Sequence, residues 1–113
     1  MTGMISTAAA AALLLYALSG WAQDVPDKGE AMSLSRKGNC ASCHGDDAKL
    51  VGPSWKAIGD KYRNVPDAGA VIAANIRSGG TFGWKIGVMP ARGGSGISDR
   101  EIDRLAKYIA ARR

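Results

Sequence analysis

The sequence predicts an all-α fold with about four helices. The 113-residue length corresponds to one small domain. Apolar residues recur at helical spacing in several segments, and no stretch alternates as a half-buried strand would. The motif at residues 40–44 has the form Cys-x-x-Cys-His, which is typical of c-type haem attachment. The predicted fold is therefore about four helices around one covalently attached haem.

The motif Cys40-Ala41-Ser42-Cys43-His44 holds both cysteines and the single histidine of the chain. Each thiol can add to one vinyl group of the same porphyrin, and His44 then presents an imidazole to the iron. A thioredoxin-like pair would need a βαβ context, and a zinc site would need a fourth ligand. We therefore predict one haem c held through two thioethers, with thiol–disulfide oxidoreductase as an alternative.

The amino-terminal segment predicts export. Ile5–Leu18 is rich in Ala and Leu, and Gly20-Trp21-Ala22 follows it with small residues at the cleavage positions. We predict a signal peptide over 1–22, a haem domain over 23–113, and a periplasmic location. No Lys or Arg precedes the apolar run, so an uncleaved membrane anchor is the alternative. The run is shorter than the roughly 20 residues of a typical span, so no stable span is expected after cleavage.

The charge pattern indicates the kind of partner. The formal net charge is +5, which favours docking onto acidic surfaces. No basic and aromatic nucleic-acid motif appears, so nucleic acid is not expected as a partner.

The processed chain of about ninety residues has a marginal apolar core by itself, so a covalent haem would form part of the core. A monomer is expected.

The first predicted helix starts with Asp27 as N-cap and with Glu30 reaching back to it. It ends near Gly38 and carries Ala31 and Leu34 on its inner face.

Two further helices follow a Gly- and Asp-rich loop. Ser54 is predicted to cap a short helix whose inner face carries Trp55, Ile58 and Tyr62. The third helix would start at Pro66-Asp67 and stop at Gly79-Gly80. Its inner stripe comprises Val71, Ile72, Asn75 and Ile76.

The last quarter of the chain is predicted to be a loop and then a helix. Thr81–Gly96 is Gly-rich without helical period, but its large apolar groups indicate an ordered loop. Ser98-Asp99-Arg100-Glu101 is a capping box, flanked by Ile97 and Ile102 as a hydrophobic staple. The buried stripe of this final helix comprises Ile102, Leu105, Ala106, Ile109 and Ala110.

The candidate for the second iron ligand is Met89, which precedes Pro90 in the Gly-rich loop. A thioether ligand would favour ferrous iron and raise the reduction potential. The proline biases Met89 toward an extended backbone, which helps to hold its side chain in one direction. Filling a gap in the core is the alternative role for Met89. Lys85 could replace it at high pH, after losing a proton.

From about Asp24 to Arg113 the chain resembles the short bacterial class I cytochromes c, periplasmic electron carriers with a single haem. The resemblance rests on the order and spacing of the haem motif and four later features. These are Val51-Gly52-Pro53, Gly83-Trp84, Met89-Pro90 and a closing amphipathic helix with Tyr108.

The resemblance implies specific roles for the site residues. Cys40 and Cys43 would carry the thioethers, and His44 and Met89 would be the axial ligands. The Pro53 carbonyl would accept a hydrogen bond from the His44 Nδ1–H. The Trp84 indole N–H would reach a haem propionate, with a plain core aromatic as the alternative.

Two positions depart from the family pattern. Asn75 stands where members often place a basic residue near a propionate, and Arg92 where many have an asparagine that donates toward the Met sulfur. Both changes alter the electrostatics around the haem. A gas-binding or sensing protein, in which Met89 is displaced from the iron, is therefore a second hypothesis.

The predicted function is one-electron transfer in a bacterial respiratory chain, without enzymatic turnover. The expected partners are redox proteins, such as a terminal oxidase, a reductase or a dehydrogenase. Lysines near the exposed haem edge would meet an acidic rim on such a partner. The candidates are Lys49, Lys56 and Lys85.

Overall fold

The computed structural model describes residues 25–112, so the predicted signal peptide lies outside the described residues. Within that range the chain forms four α-helices and two short 3₁₀ turns, and no named strand. The helices are α1 (Lys28–Lys37), α2 (Trp55–Lys61), α3 (Ala68–Ser78) and α4 (Asp99–Ala111), and the 3₁₀ turns are Cys40–Ser42 and Ala91–Gly94. The predicted all-α fold is confirmed. No helix in this range has the length and apolar character that crossing a bilayer requires.

Three of the four helix starts follow from side-chain caps. Asp27 accepts from the Glu30 amide at 2.8 Å, and Ser54 caps α2 in the same way. At α4, Ser98 accepts from the Glu101 amide at 3.2 Å and Glu101 returns a bond to the Ser98 amide at 3.1 Å. The predicted capping box of α4 is confirmed. The prediction that Glu30 reaches back to Asp27 is wrong, because its carboxylate binds a guanidinium of α4 instead.

The start of α3 differs from the other three. Asp67 adopts the left-handed conformation, with φ of 53°, and its side chain caps no amide.

The buried face of α3 differs slightly from the predicted stripe. Ile72, Ala73 and Ile76 are buried, whereas Val71 and Asn75 are only half-buried. The stripe is rotated because α3 packs mainly on α4.

Helix α4 is the centre of the core and packs on the three other helices. Its buried residues are Ile102, Leu105, Ala106, Tyr108 and Ile109. Trp55 of α2 meets Tyr108 edge-on, with ring centroids 6.0 Å apart. Gly59 allows this close packing, since a Cβ there would lie 1.8 Å from the Arg112 carbonyl oxygen. The short helix α2 is therefore firmly seated on the carboxyl end of α4.

Helix α1 crosses α4 with small side chains at the contact. Ala31 and Ser35 are almost fully buried, whereas Leu34, which was expected on the inner face, is only partly buried. Small residues let two helix backbones approach closely, so the crossing favours Ser35 over the larger Leu34.

Ion pairs join α1 and α4 at the surface. Arg104 binds both oxygens of Glu30, at 2.5 and 2.8 Å, and Lys37 binds Glu101 at 2.6 Å. The bond from Lys37, together with bonds from Ser98, lowers the pKa of Glu101 to about 2. Solvent and salt screen exposed pairs of this kind, so they supplement the apolar contact between the helices.

The buried Ser35 hydroxyl is predicted to lower the stability of the folded protein. Within residues 25–112 its Oγ has no hydrogen-bond partner, and an unpaired buried hydroxyl costs on the order of 1 kcal/mol. Ser35→Ala should therefore raise the free energy of unfolding by about 1 kcal/mol more than Ser33→Ala does. Ser33 is exposed on the same helix, so its substitution reports the difference in helix propensity alone. Guanidinium unfolding of the two variants measures the difference, and equal effects would contradict the prediction.

Candidate haem-binding site

An apolar cleft lies between the haem motif, α2, α3 and the loop that precedes the second 3₁₀ turn. It encloses about 790 Å³ of empty space, part of it open to solvent. The chain segments that form it are distant in sequence, yet they bring five of the six predicted site residues to one cleft. These are Cys43, His44, Pro53, Trp84 and Met89.

The haem motif forms a tight turn. The His44 and Cys43 amides both donate to the Cys40 carbonyl, at 2.9 and 3.0 Å. Asn39 enters this turn in the left-handed conformation, with φ of 61°. The turn therefore presents Cys43 and His44 from one rigid piece of backbone.

The orientation of the His44 ring is set by Gly52 and Pro53, at the end of the loop that follows the haem motif. Its Nδ1 lies 2.7 Å from the Pro53 carbonyl oxygen, so Nδ1 carries the proton and Nε2 keeps a lone pair that could bind a metal. Gly52 makes room for the ring, since a Cβ there would lie 2.7 Å from His44 Cε1. The Gly52 amide also donates to the Cys43 carbonyl at 2.7 Å, which ties this segment to the motif.

Cys40 is the predicted site residue that does not line the cleft. Its thiol is buried and donates to the Gly38 carbonyl at 3.6 Å. Burial raises the pKa of this thiol, so it is held in the protonated form.

Met89 reaches the cleft from the opposite half of the sequence. The Gly80 and Met89 amides donate to each other's carbonyls at 3.0 Å and pair the two ends of the loop between them. Gly79 lies against this pair with φ of 67°, and a Cβ there would meet the Met89 carbonyl oxygen at 2.5 Å. Met89 is partly buried and also touches the core. Its backbone is thus fixed close to the end of α3.

Trp84 lines the cleft together with two exposed apolar residues of the same loop. Its amide donates to the Thr81 carbonyl at 3.1 Å, and its indole N–H has no acceptor among residues 25–112. Ile86 and Val88, expected to be ordered apolar groups, also line the cleft but are exposed, Val88 to 76%. They form part of an apolar rim at the mouth of the cleft.

The two departures from the family pattern have partners within the protein. Asn75 donates to the Tyr62 hydroxyl at 3.1 Å, and both residues line the cleft. Arg92 donates to the Ile97 carbonyl at 3.2 Å and to Asp99 at 2.6 Å, at the start of α4. The Arg92 guanidinium is therefore held at the start of α4, and its effect on the surroundings of the Met89 sulfur stays a prediction.

The Tyr62–Asn75 pair was not predicted as part of the site. The sequence placed both residues on inner faces of their helices, but helical spacing does not show which pairs of helices face each other. A polar Asn in an otherwise apolar stripe was the signal available, because a half-buried amide needs a hydrogen-bond partner.

The donor set fits an iron porphyrin. The lining is mostly apolar, with one imidazole, one thioether and one of the two motif thiols. Large apolar clefts with a few polar groups suit flat organic cofactors, and His and Met are known axial ligands of haem. Within the described range, no three His, Cys, Asp or Glu side chains converge as in a metal site built from protein ligands alone.

Comparison with known proteins agrees with this geometry. The family model described as "Cytochrome C oxidase, cbb3-type, subunit III" matches residues 26–109. Cytochrome c-552 of Nitrosomonas europaea is 35% identical, over 96% of this chain and 94% of that protein. Cytochrome c-551 of Pseudomonas aeruginosa is 31% identical, over 88% of this chain and 86% of that protein.

Solved structures show the same relationship. Wild-type Nitrosomonas europaea cytochrome c552 aligns with a TM-score of 0.66 at 33% identity, over 73% of this chain and 99% of that one. The class 1 cytochrome MtoD of Sideroxydans lithotrophicus ES-1 aligns with a TM-score of 0.61 at 32% identity, over 75% and 95%. The chain belongs to the short bacterial class I cytochromes c. This cytochrome is accordingly an electron carrier with one covalently bound haem c, and it acts with redox partner proteins.

The contact between Gly52 and His44 predicts a sensitive position in this cytochrome. Gly52→Ala should displace the imidazole from the Pro53 carbonyl, because its Cβ would overlap the ring. We expect a lower ratio of Soret absorbance to protein and a shifted Soret band in whatever holoprotein forms. Gly96→Ala is the control, since a Cβ there meets nothing within 4 Å. Equal spectra and yields for the two variants would rule out this steric role.

Proposed function

We propose that this cytochrome carries single electrons in a bacterial respiratory chain, with His44 and Met89 as the axial ligands of its haem iron. The observation that supports the proposal is the convergence of His44 and Met89 on one cleft, with His44 Nδ1 already bonded to the Pro53 carbonyl at 2.7 Å. An imidazole oriented in this way offers Nε2 to iron as a neutral ligand.

Each site residue has a separate part in this function. The bound haem supplies an iron that changes between Fe(II) and Fe(III). Cys40 and Cys43 would hold the porphyrin through thioethers, and Pro53 keeps the His44 ring in one tautomer and one orientation. Met89 would supply a soft sulfur that favours the ferrous state. The apolar lining limits the entry of water, so the surroundings reorganise little when the charge of the site changes.

We also propose that residues 1–22 are a signal peptide and that the protein works in the periplasm. The apolar run and the small residues before Gln23 support export, and a haem c protein with two free thiols before attachment suits an exported chain. Amino-terminal sequencing of the purified protein should begin at Gln23. A retained Met1 would point to an anchor instead.

The mouth of the cleft is the proposed docking surface. Four exposed apolar side chains belong to the same two segments as Lys49 and Lys85. These side chains are Leu50, Val51, Ile86 and Val88. Within residues 25–112, neither Lys49 nor Lys85 forms an ion pair, whereas Lys56 binds Asp60 at 3.4 Å. An apolar patch beside two uncompensated cations fits a partner with an acidic rim around an apolar centre.

Replacement of Met89 tests the ligand assignment. In Met89→Ala the reduction potential should fall and the weak absorption band of the iron–sulfur bond should be lost, because the thioether is gone. Carbon monoxide should bind rapidly to the reduced variant and slowly or incompletely to the reduced parent. Rapid and complete binding by the parent would favour the gas-sensing alternative. Met32→Ala, on α1, is the matched control and should leave the spectrum unchanged.

Charge reversal at the mouth tests the docking surface. Lys49→Glu and Lys85→Glu should each slow electron transfer to an electrode coated with a carboxylate-terminated monolayer, most strongly at low ionic strength. Arg100→Glu changes the charge equally at the start of α4, away from the residues that line the cleft. Its rate should stay close to that of the parent, and a uniform slowing of all three variants would indicate an effect of net charge alone.

A further inference from the structure

The loop from Thr81 to Val88 carries Trp84 and leads directly into Met89, but few bonds hold it. Its two ends are joined by the Gly80–Met89 backbone pair, and one internal bond runs from the Trp84 amide to the Thr81 carbonyl. The loop also contains two non-glycine residues with positive φ, 52° at Phe82 and 55° at Lys85. Such conformations are unfavourable for residues with side chains and persist only where neighbours hold them.

One side chain from outside the loop supplies such a hold. Lys61, the last residue of α2, donates from Nζ to the Phe82 carbonyl at 2.5 Å. The same ammonium lies 4.8 Å from the centroid of the Trp84 ring, within the range of a cation–π contact. Among residues 25–112, no other residue outside the loop forms a hydrogen bond or ion pair with positions 81–88.

Helix α2 is a firm base for this contact. It starts two residues after Pro53, whose carbonyl orients His44, and Gly59 allows it to pack against the carboxyl end of α4. Lys61 therefore connects the segment that orients the proximal histidine with the loop that leads to Met89.

We propose that Lys61 is a positioning residue that clamps the loop from Thr81 to Val88 onto α2 and thereby holds Trp84 and Met89 in place at the cleft. The part that concerns the iron rests on the proposed ligation by Met89. The clamp acts through the Phe82 carbonyl and the Trp84 ring, and Lys61 itself does not touch Met89. Loss of the clamp would let the loop open more often, so a Met89 sulfur bound to iron would be released more often.

The experiment compares Lys61→Met with Lys56→Met in the holoprotein. Both replace a lysine of α2 by an unbranched apolar residue, but Lys56 pairs with Asp60 and does not contact the loop. Hydrogen exchange of the Gly80 and Met89 amides, followed by NMR, should be roughly tenfold faster in Lys61→Met, since a bond from a charged donor and a cation–π contact are both lost. It should be unchanged in Lys56→Met.

Displacement of the iron ligand by added imidazole provides the second readout. Its rate in the oxidised protein should rise with loop exchange in Lys61→Met, while Lys61→Arg should restore much of both values, because a guanidinium can also donate to a carbonyl and stack on Trp84. Equal amide exchange in Lys61→Met and Lys56→Met would overturn the clamp.

The two proposals can fail separately. Amide exchange reports the clamp whichever ligand binds the iron. If exchange is faster in Lys61→Met while Met89→Ala leaves the iron spectrum unchanged, the clamp stands and the ligation by Met89 is wrong. If Met89→Ala changes the spectrum and Lys61→Met changes no amide exchange, the ligation stands and the clamp is wrong.

Discussion

The hydrogen bond between His44 Nδ1 and the Pro53 carbonyl is the contact on which the site depends. At 2.7 Å it uses one ring nitrogen and leaves the other unprotonated, as the proposed iron ligation requires. The contact requires the segment from Gly52 to Pro53 to lie directly against the ring, which only a glycine at position 52 permits. The same segment then continues through the Ser54 cap into α2. The orientation of the histidine and the position of α2 are thus parts of one arrangement.

The remainder of the fold keeps this arrangement in place. Asp46, two residues after His44, accepts bonds from the Tyr108 hydroxyl at 3.1 Å and from Arg112 at 2.8 Å. These bonds attach the loop after the haem motif to α4, which also buries Trp55 of α2. Because α4 contacts the three other helices, it joins the segment that orients His44 to the rest of the core.

The distal side is built differently. Among residues 25–112, the backbone hydrogen bonds of Met89 are those of its pair with Gly80, and the loop between them has exposed apolar side chains and two non-glycine residues with positive φ. His44 is thus held by several bonds and Met89 by few, so the two proposed iron ligands differ in how firmly the protein holds them. Ligand-binding loops are commonly drawn from the less stable parts of a fold. The contacts of Lys61 with Phe82 and Trp84 attach this loop to α2.

The sequence by itself determined the helices, the haem motif and the candidate ligands, because these depend on local patterns. The capping box of α4 and the Cys-x-x-Cys-His turn are formed by residues within a few positions of each other. Contacts between distant segments required the tertiary structure. It decided that Glu30 binds Arg104 rather than its own N-cap, that Ser35 is buried more deeply than Leu34, and that Arg92 is held at α4. It also decided that Lys61 meets Trp84, since side-chain partners are set by how the helices and loops pack and not by sequence spacing.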